Sequence, residues 1–124
     1  MELYTPKVSF VTTLRCNLKC KLCAAYSPCY QTPYHPTIDV LKAQIDRFFG
    51  VVTEAGYFTL SGGEPLLRED LWGVISHLSK YAQRIGILEL ITNGSIAPSE
   101  STLHALKKYP GSVRIIIDDY GPKL

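Results

Sequence analysis

Four short apolar runs alternate with three apolar stripes of helical period, and that alternation restricts the fold more than any other feature of the chain. The runs are Val8-Ser9-Phe10-Val11-Thr12-Thr13, Tyr57-Phe58-Thr59-Leu60, Ile87-Leu88-Glu89-Leu90-Ile91 and Val113-Arg114-Ile115-Ile116-Ile117. They are short and rich in β-branched or aromatic residues, which suits strands. Between them, Ile38, Leu41, Ile45 and Phe48-Phe49 form one stripe after Thr37, ending near Gly50. Leu71, Val74-Ile75, Leu78 and Ala82 form a second within residues 69–84, and Leu103 and Leu106 a third, opened by Pro98-Ser99 and closed by Pro110-Gly111. The predicted order is β-loop-α-β-α-β-α-β, an α/β arrangement in which right-handed crossovers make the sheet parallel and put the helices outside it.

With 124 residues the chain suits a single domain, 1–124, built on one core. Apolar residues at 46% and charged residues at 19% are ordinary globular proportions, which excludes a disordered chain. A net charge of +2 spread along the chain gives no reason to expect a nucleic acid or an anionic membrane as partner. No stretch approaches the roughly 20 apolar residues that span a bilayer, and the N-terminus lacks a basic region followed by an apolar run. The expected location is the cytoplasm.

All four cysteines, Cys16, Cys20, Cys23 and Cys29, fall in the polar, proline-broken connection after the first strand. Disulfides among them would close only small loops, and such clustering in a reducing compartment points to metal. Four thiolates could satisfy a tetrahedral zinc ion, although only Cys20 and Cys23 have the C-x2-C spacing of a zinc knuckle. Cys16, Cys20 and Cys23, in a C-x3-C-x2-C run, could instead hold three irons of a 4Fe-4S cluster and leave the fourth iron open, with Cys29 an ordinary loop thiol. Ligands of parallel α/β sheets gather at the C-terminal ends of the strands. Here the cysteine run, Ser61-Gly62-Gly63-Glu64-Pro65, Thr92-Asn93-Gly94 and Asp118-Asp119 each follow a strand end.

The cysteine run, with Asn17-Leu18 after its first cysteine and Leu22 before its third, resembles the signature of the radical S-adenosylmethionine superfamily. Gly62-Gly63-Glu64-Pro65 is similar to that family's GGE motif, and Ile91-Thr92-Asn93-Gly94 to a common companion. The resemblance covers essentially the whole chain. It implies a partial TIM-type barrel of parallel β/α units, a 4Fe-4S cluster on Cys16, Cys20 and Cys23, and S-adenosylmethionine chelating the open iron. The cofactor's amino group would meet the Gly62, Gly63, Glu64 and Pro65 segment, where glycines admit close backbone approach and Glu64 or a neighbouring carbonyl faces the ammonium. Asn93 and Asp118 join them as cofactor-binding residues, with Asp119 an alternative to Asp118. In the family, a reduced cluster passes one electron to the sulfonium, and the resulting 5'-deoxyadenosyl radical abstracts hydrogen from a substrate. The substrate is not encoded in these motifs.

Family domains run to six β/α units, whereas this sequence supplies about four strands and three helices, so it reads as the N-terminal portion of a longer enzyme or a chain completed by a partner. A non-catalytic cluster or zinc module is the alternative. Arg15, Lys19 and Lys21 make the cysteine loop basic, which suits an acidic electron donor such as a flavodoxin or ferredoxin, or reflects solvated charges. Tyr26, Tyr30 and Tyr34 either lid or pack that loop. His35, His77 and His104 share no metal-ligand spacing and are assigned to solvated or partly buried roles.

Overall fold

The structure, a computed structural model, describes residues 2–13 and 35–117. The four apolar runs form strands β1 (Tyr4–Thr13), β2 (Glu54–Gly62), β3 (Ile85–Thr92) and β4 (Ser112–Ile117), joined in the order β1-β2-β3-β4 with every pairing parallel. The helices are α1 (Ile38–Val51), α2 (Leu71–Leu78) and α3 (Glu100–Lys108). This is an open portion of a TIM-like β/α fold, with β1 and β4 as its edges. Among the described residues, no helix is long and apolar enough to cross a membrane.

Strand register sets the core. Val8, Phe58, Leu88 and Val113 are partners across all four strands, and Phe10, Leu60 and Leu90 form the next such row. Both rows pack against Leu41, Ile45 and Phe49 of α1 and Leu71, Val74, Ile75 and Leu78 of α2, with Ala105 and Tyr109 closing the α3 end. The three helices therefore cover one face. Each fully buried Leu, Ile, Val or Phe among them stabilises the fold by about 1.5–3 kcal/mol relative to exposure. Phe58 sits at the centre, stacked on Phe10 at 4.8 Å and on Phe49 at 5.9 Å between ring centroids.

Helix starts follow the sequence closely. Thr37 caps α1 by accepting from the Val40 N–H, and Ser99 caps α3 by accepting from the Thr102 N–H. The larger departures from the expected bounds fall in three elements. β1 begins at Tyr4 and runs through Pro6, which an edge strand tolerates because among the described residues one of its sides has no ladder to lose. β2 extends to both sides of its apolar centre, since pairing with β1 and β3 overrides the weak strand preference of Glu54, Ala55 and Gly56.

The third difference is in the second helical stretch, which is α-helical only to Leu78 and then tightens to a 3-10 turn over Ser79–Arg84. In that geometry residues three apart eclipse one another, so Tyr81 and Arg84 reach back together to α1. The Tyr81 hydroxyl donates to Asp46 Oδ1 at 2.5 Å, beside the His77 Nε2 contact at 2.7 Å. The Tyr81 and His77 hydrogen bonds hold the Asp46 carboxyl below its usual range. Arg84 donates to the carbonyls of Phe49 (2.7 Å), Val52 (2.6 Å) and Thr53 (2.8 Å). It supplies the positive charge that the last turn of α1 lacks.

Tyr109 is 5% exposed, and its hydroxyl has no hydrogen-bond partner among the described residues. Burial pushes its pKa up to about 12. Below the unfolded tyrosine value of about 10 both states stay protonated; above it the unfolded chain ionises first, so stability falls as pH rises towards 12. Tyr109→Phe removes an unpaired buried hydroxyl, and urea unfolding at pH 7 should find it unchanged or more stable by up to about 1 kcal/mol. The same variant should show a shallower loss of stability between pH 10 and 12.

Candidate functional site

The C-terminal ends of β1, β2 and β3 are bound to one another through backbone and carboxylate rather than through apolar packing. Pairing of β1 with β2 shifts register between Val11 and Thr13, bringing Thr13 opposite Gly62. Gly62 has φ +135°, and a Cβ there would lie 2.0 Å from the Thr13 carbonyl oxygen. Both the dihedral and the approach demand glycine. The next residue, Gly63, donates its N–H to that same carbonyl at 2.8 Å.

Glu64 is fully buried and points inward. Its Oε1 accepts from the Asn93 N–H at 2.8 Å, its Oε2 accepts from the Leu66 N–H at 3.0 Å, and the Thr92 hydroxyl lies 2.8 and 2.9 Å from the two oxygens. The carboxylate thus ties the end of β2 to the end of β3 and caps the 3-10 turn Pro65–Leu67. Pro65, buried at the first position of that turn, has the fixed φ such a start requires. Asn93 contributes its backbone to Glu64, while its side-chain oxygen accepts from the Ser95 N–H and hydroxyl at 2.9 and 2.6 Å. The Gly62, Gly63, Glu64, Pro65 and Asn93 positions therefore meet at one place.

Arg68, four residues beyond Glu64, is 3% exposed. Its Nη1 donates to the carbonyls of Thr12 (2.9 Å) and Pro36 (2.5 Å), while Nε and Nη2 grip the Asp70 carboxylate at 2.8 and 3.1 Å. Thr13 Oγ1 and His35 Nδ1 are hydrogen-bonded at 2.8 Å. An open depression lined by His35, Leu67, Glu69 and Asp70 lies alongside.

The sheet face opposite the helices carries a polar row in strict register: Ser9, Thr59, Glu89 and Arg114. Glu89 is 1% exposed and accepts from the Thr59 hydroxyl at 2.9 Å. Arg114 Nη2 lies 2.6 Å from Glu89 Oε2, an ion pair whose geometry is not that of a directed hydrogen bond, and its guanidinium is 5.6 Å from the Tyr57 ring centroid. Sequence reading passed over this row. Its signal was present in the strand alternation, where Thr59 and Glu89 interrupt apolar runs at positions of the same parity. Arg68 was also missed, and no local pattern marks a buried arginine.

Cys16, Cys20, Cys23, Cys29, the three loop tyrosines, the basic loop residues, Asp118 and Asp119 lie outside the described residues. Among the described residues no group of three His, Cys, Asp or Glu side chains could hold a metal ion. His77 is bound to Asp46, His35 to Thr13, and His104 is exposed on α3.

The profile of the Radical SAM superfamily matches residues 10–123. The chain is 35% identical over 99 residues to GTP 3',8-cyclase of Aquifex aeolicus, covering 77% of this chain and 29% of that protein. It is 37% identical over 91 residues to pre-heme d1 synthase of Dinoroseobacter shibae, covering 73% and 21% respectively. With 7-carboxy-7-deazaguanine synthase of Halobacterium salinarum it shares 33% over 94 residues, 74% of this chain and 33% of the relative. The matched stretch is therefore about a third or less of each of these relatives.

Two substitutions test the joined strand ends. Glu64→Ala strands the Asn93 and Leu66 N–H groups and the Thr92 hydroxyl, and denaturant unfolding should show a loss of about 3 kcal/mol. Gly62→Ala, which needs both a left-handed dihedral and room that Thr13 occupies, should cost more than about 2 kcal/mol by the same measurement.

Proposed function

The chain belongs to the radical SAM superfamily, and we propose that it carries the cluster- and cofactor-binding part of an enzyme that initiates radical chemistry on an organic substrate. One observation carries this reading. The Gly62-Gly63-Glu64-Pro65 turn, the Thr92-Asn93 segment and the root of the cysteine-bearing segment at Thr13 are joined by short hydrogen bonds at the C-terminal ends of parallel strands.

The residues present fit a 4Fe-4S cluster and S-adenosylmethionine. Cys16, Cys20 and Cys23 supply three soft thiolates. Gly62 and Gly63 bring bare backbone to the strand end, and Gly62 has no space for a side chain. Because the Glu64 carboxylate is taken up by Thr92, Asn93 and Leu66, the polar contact to the cofactor's amino group falls to a neighbouring backbone carbonyl, and Glu64 acts by holding that backbone still. Asn93 and Asp118 are the further cofactor-side residues in this reading. When bound, cluster and cofactor together supply a one-electron cleavage that yields a 5'-deoxyadenosyl radical.

The polar row of Thr59, Glu89 and Arg114 lines the helix-free face of the sheet, where a substrate would lie within reach of the strand ends. An acidic flavodoxin or ferredoxin would complement Arg15, Lys19 and Lys21 as electron donor, in a reducing cytoplasm that keeps the thiols free. The four strands would form the first portion of a longer (β/α) core.

Anaerobic reconstitution with iron and sulfide, followed by dithionite reduction in the presence of S-adenosylmethionine, tests the proposal. Formation of 5'-deoxyadenosine and methionine, abolished together with the cluster in Cys16→Ala, is the expected result. A protein that binds about one zinc and no labile sulfide would contradict it.

A further inference from the structure

We propose that Arg68 is a positioning residue for the iron-sulfur cluster, acting as a clamp across the base of the segment that carries the cysteines. This inference rests on the cluster reading above. Residues 13–35 contain all four cysteines, and the residues on either side of that segment, Thr12 and Pro36, are held by one nitrogen of one guanidinium. One step further in, Thr13 and His35 are tied side chain to side chain. Two successive ties thus join the two ends of the segment, and the segment is closed at its base by interactions that involve no cysteine.

Arginine suits this task and lysine does not. Two carbonyls and a two-pronged carboxylate must be satisfied at once by groups in fixed planar relation, which a guanidinium fork provides and a single ammonium cannot. The burial of Arg68 is compensated by Asp70, itself part exposed, so the pair brings little net charge to an anionic cluster. Its effect on the cluster is therefore one of geometry more than of field. Arg68 also ends the 3-10 turn that begins at Glu64, so a single turn ties the end of β3 through one side chain and the root of the cysteine segment through another.

The experiment compares wild type, Arg68→Ala and Arg68→Lys in the whole chain after anaerobic reconstitution with iron and sulfide. It measures the rate of iron release to a chromophoric chelator, the electron paramagnetic resonance spectrum of the reduced protein, and the far-ultraviolet dichroism and Tm of the metal-free protein. Loss of an outer residue that orients metal ligands typically costs tenfold or more in metal retention. Arg68→Ala should release iron about tenfold faster or more, with an altered resonance line shape and native dichroism, and Arg68→Lys should fall between it and wild type. Should Arg68→Ala not fold, Arg68→Lys carries the comparison, and faster release than wild type is still required. Equal release rates and identical spectra in wild type and the folded variants overturn the clamp while leaving the functional reading intact. A wild type that assembles no cluster overturns both.

Discussion

The buried carboxylate of Glu64 is the interaction on which the arrangement of the strand ends depends. A parallel sheet fixes the spacing of its strands through the ladder, but it leaves the backbone beyond the last ladder bond without partners. Glu64 takes up the Asn93 and Leu66 N–H groups and the Thr92 hydroxyl with a single side chain. Being ionisable and fully enclosed, it is costly to bury unless each oxygen is well supplied with donors. That requirement makes the junction between β2 and β3 specific rather than merely compact.

Gly62 does the corresponding work between β1 and β2. The register shift at Thr13 presses the two backbones together, and the Gly63 N–H then finds the Thr13 carbonyl. Beneath these junctions the helices hold the sheet through Phe58 and its neighbours, with Arg84 closing the end of α1. Packing of the core and polar fastening of the strand ends are thus separate devices on the same strands. Arg68 extends the rim to the root of the cysteine segment.

The order of elements and the clustering of distinctive residues at strand ends were legible in the sequence, because apolar periodicity and turn residues act locally. Thr37 and Ser99 opened their helices as expected for the same reason. The tightening at Ser79–Arg84 was not legible, since it follows from the reach of Tyr81 and Arg84 to carbonyl and carboxylate groups more than thirty residues away in sequence. Glu64 shows the division within one residue: its position after two glycines marked the site, but whether its carboxylate faces a ligand or the protein depended on Thr92 and Asn93, which only the fold brings near. The polar row and Arg68 were hidden likewise, their partners lying on other strands or across the cysteine segment. Family motifs marked the residues, and three-dimensional partners showed that Glu64 holds backbone.

The central claim is that three thiolates on this chain leave one iron of a cluster open to a ligand held beside the Gly62-Gly63 turn. Mössbauer spectroscopy of protein reconstituted with enriched iron tests it most directly, with spectra taken before and after addition of S-adenosylmethionine. The account predicts a cluster in which one iron changes its isomer shift and quadrupole splitting on addition while the other irons do not. Spectra unchanged by the cofactor, or protein that retains no cluster iron, would contradict it.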